Sequence, residues 1–198
     1  IQAIFQDPFS VYNPFYPVEH VLEMPIEKFK MAKNKAAAKR LMEDALSEVG
    51  LQPGETLGRY PHQLSGGQKQ RVMIAMAMCC EPLLLICEEP TTALDVSVQK
   101  TILELIKVLQ REQDMGVIFI PHDLGVVAEI AVRVAIMYKG SLVEEGPAAI
   151  QQLVDWARDE SPGLKVGFYG EIPRPWLDDN GAARKAANDY LLSRLLPS

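Results

Sequence analysis

The chain has 198 residues, 48% hydrophobic and 23% charged, which suits one folded domain with or without a subdomain and argues against disorder. Its net charge of −6 argues against a nucleic-acid binder that relies on overall positive charge. The longest apolar run, Val72 to Cys80, is too short to span a bilayer and no secretory signal is visible, so any membrane role is expected to come through a partner.

The chain opens Ile1-Gln2-Ala3 without a methionine, as if part-way through a strand, and a short strand is predicted from Ile1 to Phe5. Gln6 to Pro14 reads as loop, punctuated by Pro8 and Pro14. Leu41, Ala45, Leu46 and Val49 repeat near a 3.6 period and predict a helix over 33–49, stopped at Gly50. Residues 52–63 hold Pro53, Gly54, Gly58 and Pro61 and are predicted as loop, as are the surroundings of His20 and His62. A helix is predicted from Ser65 to about Cys80, and a buried parallel strand over Leu83 to Cys87. Val98, Ile102, Leu105, Ile106 and Leu109 form one face of a helix over 97–113. A strand over 117–120, a short helix over 123–131 and a hairpin of 132–138 with 141–144 about Lys139-Gly140 follow. Helices are predicted at 148–158 and 182–196, with loop at 161–175 between them. The alternation of strand and helix after residue 80 predicts an α/β architecture with a mainly parallel sheet.

Cys79, Cys80 and Cys87 form no C-x-x-C pair and have no histidines at zinc-ligand spacing. They are expected to be reduced and buried, as suits a cytosolic protein.

Three segments carry candidate chemistry. In Leu64-Ser65-Gly66-Gly67-Gln68, Ser65 and Gln68 have capping-box spacing at a predicted helix start. The glycines allow close approach to the backbone, and a helix N-terminus favours anions such as phosphate. A plain helix cap with two incidental glycines fits these five residues as well. The strand ending at Glu88 and Glu89 places two carboxylates at the carboxyl edge of the sheet, where α/β folds bind ligands. One acid can hold Mg²⁺ through water and the next can polarise an attacking water. A solvated acidic loop is the bland alternative. His122 follows the strand 117–120 at the same kind of edge and is a candidate to contact a γ-phosphate and hold that water, or else a helix-start histidine without a partner.

Together these residues resemble the ABC family of ATPases. Leu64 to Gln68 is similar to its signature, Leu83 to Glu89 to its Walker B strand and catalytic glutamate, and Ala93-Leu94-Asp95 to its D-loop. His122 is similar to the switch histidine, and Gln6 in Phe5-Gln6-Asp7-Pro8 to the Q-loop glutamine. The wording of Gln6 to Pro8, 60–77, 90–96 and 122–129 resembles the ATP-binding subunits of oligopeptide, dipeptide and nickel importers. The resemblance runs over about residues 1–146.

It implies a partial P-loop-NTPase core of the ABC type, mainly parallel in its sheet, with a helical subdomain. The implied divisions are 1–7 (strand and Q-loop), 8–80 (helical subdomain with signature), 81–146 (second half of the ATPase core) and 147–198 (an extension of unknown role). It implies ATP sandwiched between two subunits, with Mg²⁺. Ser65, Gly66, Gly67 and Gln68 would touch the γ-phosphate held by the opposite subunit, and Glu89 would act on water with His122. Glu88 and Gln6 would sit near Mg²⁺, and Asp95 would bridge the two subunits. Permease subunits would bind the helical region, with the protein peripheral on the cytoplasmic face of the membrane and not inserted in it.

Three departures qualify the resemblance. No G-x-x-x-x-G-K-[ST] loop, or Walker A, occurs in these residues, so the N-terminal part of the core is expected to be missing and the isolated chain to be inactive. Glu88 stands where the family has aspartate, which moves the carboxylate outward by roughly 1.5 Å, and Pro121 stands where it has threonine or serine. Beyond about Ala148 the usual importer extension is not recognisable. The expected function is an incomplete ATP-hydrolysing subunit of a peptide-type importer. The alternatives are a non-catalytic module that pairs with a full-length subunit, and an ABC protein acting on nucleic acid, which the acidic balance and the importer wording oppose.

Overall fold

The computed structural model describes residues 1–6, 13–92, 94–121, 126, 130–138, 141–147 and 165–169; for 136–138, 141–147 and 165–169 the description is of backbone only. The chain divides into two compact units, Ile1–Gln113 and Asp114–Ser198.

In the first unit, β1 (Gln2–Ile4) pairs in parallel with β2 (Leu84–Glu88), in the register Gln2 to Leu85, Ala3 to Ile86 and Ile4 to Cys87. Three longer helices and two short turns separate the two strands in sequence. Helix α1 (Val18–Lys28) buries Val18, Val21, Leu22 and Ile26, a helical stripe that sequence reading passed over. Two features hide it. Its N-cap is Pro17, with no side-chain cap, and Pro25 lies inside it. Its first N–H groups are satisfied from elsewhere: Val18 N donates to Arg59 O at 2.9 Å and Glu19 N to Leu57 O at 3.0 Å. His20 therefore lies in a helix, not a loop, with its ring 4.2 Å from that of Tyr16.

Helix α2 (Lys35–Glu48) starts at Asn34, whose side chain accepts from Ala37 N at 2.9 Å. It ends at Gly50, whose φ of +71° suits glycine. Between 52 and 63 lie a single helical turn, α3 (Pro53–Thr56), and a 3₁₀ turn at Pro61–Gln63. Helix α4 (Gly66–Met78) is buried nearly all round, through Val72, Met73, Ile74, Ala75, Ala77 and Met78, as a central helix must be. Helix α5 (Val96–Glu112) buries only Ile102, Leu103, Ile106 and Leu109: of the stripe expected from sequence Ile102, Ile106 and Leu109 are buried, Val98 and Leu105 are half-buried, and Leu103 joins them. The core of this unit gathers Ile4, Leu22, Ile26, Leu46, Met73, Ile74, Leu85, Ile86, Ile102 and Leu103.

The second unit is built from β3 (Gly116–Ile120), β4 (Arg133–Tyr138), β5 (Ser141–Pro147) and β6 (Lys165–Tyr169). β4 and β5 form the expected antiparallel hairpin, with an irregularity between Ile136 and Met137. β6 lies between β3 and β4 and pairs antiparallel with both. Sequence reading predicts loop there. The segment Lys165-Val166-Gly167-Phe168-Tyr169 carries β-branched and aromatic residues that favour a strand, and pairing on both edges outweighs the glycines and prolines around it. The predicted helices at 123–131, 148–158 and 182–196 fall wholly or mainly outside the described residues.

Candidate functional site

The site is organised by the β1–β2 register. Ile4 opposes Cys87, so two residues further along each strand Gln6 stands beside Glu89. Gln6 Nε2 donates to Glu89 Oε2 at 2.8 Å, and Thr92 Oγ1 donates to the same oxygen at 3.0 Å. Glu89 leaves the strand in the left-handed region, at φ +45°, a conformation that costs a non-glycine residue about 1–2 kcal/mol. The turn that follows is closed by Thr92 N to Glu89 O at 3.3 Å and Leu94 N to Thr91 O at 3.1 Å, over buried Pro90 and Thr91. Glu88 ends β2 half-buried. The backbone bend separates the two adjacent acids: Glu88 finishes the strand and Glu89 begins the turn. Gln6, expected beside the metal, is hydrogen-bonded to the acid expected to act on water. Thr92, three residues after Glu89, is a second donor that sequence reading did not single out.

The signature forms the first turn of α4. Ser65 is its N-cap. Ser65 Oγ accepts from Gln68 N at 3.3 Å, and Gln68 Oε1 accepts from Ser65 N at 3.0 Å, which completes the capping box. The glycines face other parts of the chain. A Cβ added at Gly66 would lie 3.2 Å from Leu94 Cδ2, and one at Gly67 would lie 2.7 Å from Val98 Cγ1. Asp95 is the N-cap of α5 but makes no side-chain cap bond, and it is exposed. One turn further along α4, Gln70 is buried with its Nε2 unpartnered, while the Arg71 guanidinium donates to Val49 O at the end of α2. His122 lies outside the described residues, as do Asp7 and Pro8 of the Q-loop segment and Ala93 of the D-loop.

Among the described residues no group of three or more His, Cys, Asp or Glu side chains is placed to hold a metal by itself. Mg²⁺ in phosphate sites needs only one or two protein ligands, with phosphate and water completing the octahedron. Glu88 and Gln6, at the carboxyl ends of adjacent strands, suit that smaller demand. A separate cleft of about 420 Å³ contains none of these residues; Leu41, Asp44, Glu48, Cys79 and Gln113 are among its walls. Burial, with the nearby charges of Asp44 and Glu112, pushes the Glu48 carboxyl up from its ordinary value, against the hydrogen bond from Gln113. No helix of the described residues is long and apolar enough to cross a membrane.

Residues 1–92 match the ABC transporter family. The chain is 48% identical over 183 residues to the dipeptide transport ATP-binding protein DppD of Bacillus subtilis, covering 92% of this chain and 52% of that protein. It is 54% identical over 147 residues to the glutathione import ATP-binding protein GsiA of Escherichia coli K12, covering 72% of this chain and 23% of that protein. The chain thus spans about half the length of the one relative and about a quarter of the other. Among solved structures it resembles the ATP-binding cassette MJ0796, a dimer bound to ADP and Pi, with a TM-score of 0.61 and 27% identity over 74% of this chain and 62% of that one. It also resembles cbiO1 of Clostridium perfringens, part of the ABC transporter complex cbiONQ, with a TM-score of 0.66 and 25% identity over 79% of this chain and 62% of that one. The likeness to peptide-importer ATP-binding subunits and the α/β, partial ABC-type fold read from the motifs are both borne out.

Proposed function

We propose that this chain is part of the ATP-hydrolysing subunit of an importer for peptides or related small solutes. The observation that carries this is the Gln6–Glu89–Thr92 hydrogen-bond cluster at the carboxyl end of β2, inside the ABC-type match. Glu89 takes the role of general base. Gln6 and Thr92 fix its carboxylate, so that little reorganisation is needed when water is activated. His122 keeps the switch-histidine role that the resemblance implies. Ser65, Gly66, Gly67 and Gln68 present the first turn of α4 to the γ-phosphate of ATP held by a second subunit, where the helix end favours negative charge. Asp95, exposed and not used in capping, belongs to the contact between the two subunits. Glu88 and Gln6 would hold Mg²⁺, and the ion would supply charge neutralisation at the phosphates.

The permease subunits meet the region around α1. Phe15 is 83% exposed, and Tyr16, Met24 and Phe29 along and at the ends of α1 are exposed as well, apolar surface that a partner could cover. The protein works at the cytoplasmic face of the membrane.

The test is calorimetric titration of Mg-ATP into the chain alone and into a chain extended upstream by a segment carrying a G-x-x-x-x-G-K-[ST] loop. The extended form is expected to bind and hydrolyse ATP and the 198 residues alone to bind weakly or not at all. In the extended form Glu89→Gln should reduce turnover by at least about 10²-fold while leaving binding intact. Full turnover by that variant would overturn the role given to Glu89.

A further inference from the structure

The contact that decides this inference is between Gly67 and Val98. A Cβ at position 67 would lie 2.7 Å from Val98 Cγ1, closer than side chains can approach, but 4.0 Å from Val98 Cβ, an ordinary van der Waals separation. A side chain at position 67 would therefore have to displace one methyl of α5, whatever a ligand requires of the glycine. At Gly66 the neighbour is Leu94, whose Cδ2 would be 3.2 Å away. Leu94 and Val98 belong to the segment that starts at Glu89. Thr92 Oγ1 donates to Glu89 Oε2, Leu94 N donates to Thr91 O, and Gln99 N donates to Asp95 O at 2.8 Å as α5 begins. Two of the strand-end groups, Glu89 and Thr92, and the signature glycines are thus the two ends of one packed run within a single chain.

We infer that Val98 is a positioning residue: its methyl, seated on Gly67, sets the distance between the first turn of α4 and the segment carrying Glu89. The inference rests on the proposed ATPase function, which gives those two ends a role at ATP. In a sandwiched pair of subunits the signature of one chain and its own Glu89 serve different ATP molecules. Val98 then fixes how far the signature shifts when the turn after Glu89 shifts.

A methyl exchange tests this. Gly67→Ala adds the clashing methyl, Val98→Ala removes the methyls it meets, and the double variant places the two Cβ atoms about 4 Å apart as read from the Gly67 geometry. All four proteins are melted, and all four are assayed for kcat and KM with Mg-ATP in the hydrolysing form used to test the function. Gly67→Ala is expected to lower kcat at least tenfold and to lower Tm. Val98→Ala is expected to lower kcat a few-fold with KM unchanged. The double variant is expected to exceed the Gly67→Ala variant in both kcat and Tm. Recovery of Tm without recovery of kcat would overturn the positioning role and leave Val98 as packing alone. A double variant no more stable than Gly67→Ala would overturn the contact itself. If the unsubstituted protein does not turn over ATP while the melting temperatures still show rescue, the functional reading fails and the Gly67–Val98 packing stands without a catalytic role.

Discussion

Glu48 shows how one side chain ties stability to pH. Burial, Asp44, Glu112 and Glu81 all raise its pKa, and only the 3.1 Å bond from Gln113 Nε2 opposes them. The folded chain therefore holds this proton more tightly than the unfolded chain. Stability linked to it is fully present below the ordinary value of 4.5 and is lost as pH rises through the raised folded value. Glu48→Gln removes the charge and keeps an oxygen to accept from Gln113. The variant should be at least as stable as the parent at pH 7 and no better at pH 4, as melting at both values would read. The gain is small, up to about 0.5 kcal/mol, because Glu48 is only partly withdrawn from solvent at the cleft wall and its exposed remainder is screened by water. A variant clearly less stable at pH 7 would mean that the negative charge is favourable there. At this same scale the candidate site was largely legible. Glu88, Glu89 and Ser65 to Gln68 sit on the elements expected of them because strand ends and helix caps leave local marks in sequence. The contacts of Thr92, Leu94 and Val98 were not legible, although Leu94 and Val98 were placed in the D-loop and on the helix face. Their importance lies in which atom each one touches across the fold, and no spacing rule encodes that.

Two helices end with the same geometry and different residues. At the end of α2, Gly50 N donates to Ser47 O and Leu51 N to Leu46 O, with Gly50 at φ +71°. At the end of α1, Lys30 N donates to Glu27 O and Met31 N to Ile26 O, with Lys30 at φ +53°. Both are Schellman caps, and glycine is the residue they favour. Lys30→Gly should therefore stabilise the chain by about 0.5–1 kcal/mol, since it relieves a left-handed residue with a Cβ. Gly50→Ala should destabilise by at least about 1 kcal/mol, since it adds that strain and its Cβ would lie 3.0 Å from Arg71 Nη1. Chemical denaturation of both variants measures the pair, and a loss of stability in Lys30→Gly would show that the strain is absent. These ends also explain what was readable among the elements. The helix over 35–48 was found through its apolar period and Gly50, with Asn34 confirming its start. The helix over 18–28 has the same kind of apolar stripe but begins on carbonyls of Leu57 and Arg59, carries Pro25 and stops on a lysine. Its start and stop are set by partners about 40 residues away or by tolerated strain, so the local signals are absent. β6 was missed for a similar reason, because both of its partners are distant in sequence.

For the whole molecule, the three cysteines report how the fold opens. Cys87 lies on β2, fully buried beside Ile4 of β1, and burial alone pushes its thiol far up. Cys79, at the end of α4, is pushed up to about 12, mainly by burial and then by Cys80 and Glu48. Cys80 is also raised by burial but is only half-buried. The thiolate is the reacting form, so exposure and pKa act in the same direction here. With a thiol reagent at pH 8, Cys80 should react first in the native protein. Cys87 should react a thousandfold or more slowly, roughly the share of molecules left open by 5 kcal/mol of stability. Its rate should rise with urea along the slope for unfolding of the whole first unit, because β2 cannot be exposed without separating it from β1 and from the core around Leu85 and Ile86. A fast, urea-independent reaction at Cys87 would mean that the β1–β2 pair opens by itself. The register that places Gln6 beside Glu89 would then be transient, and the preorganised carboxylate on which the proposed chemistry depends would be lost with it.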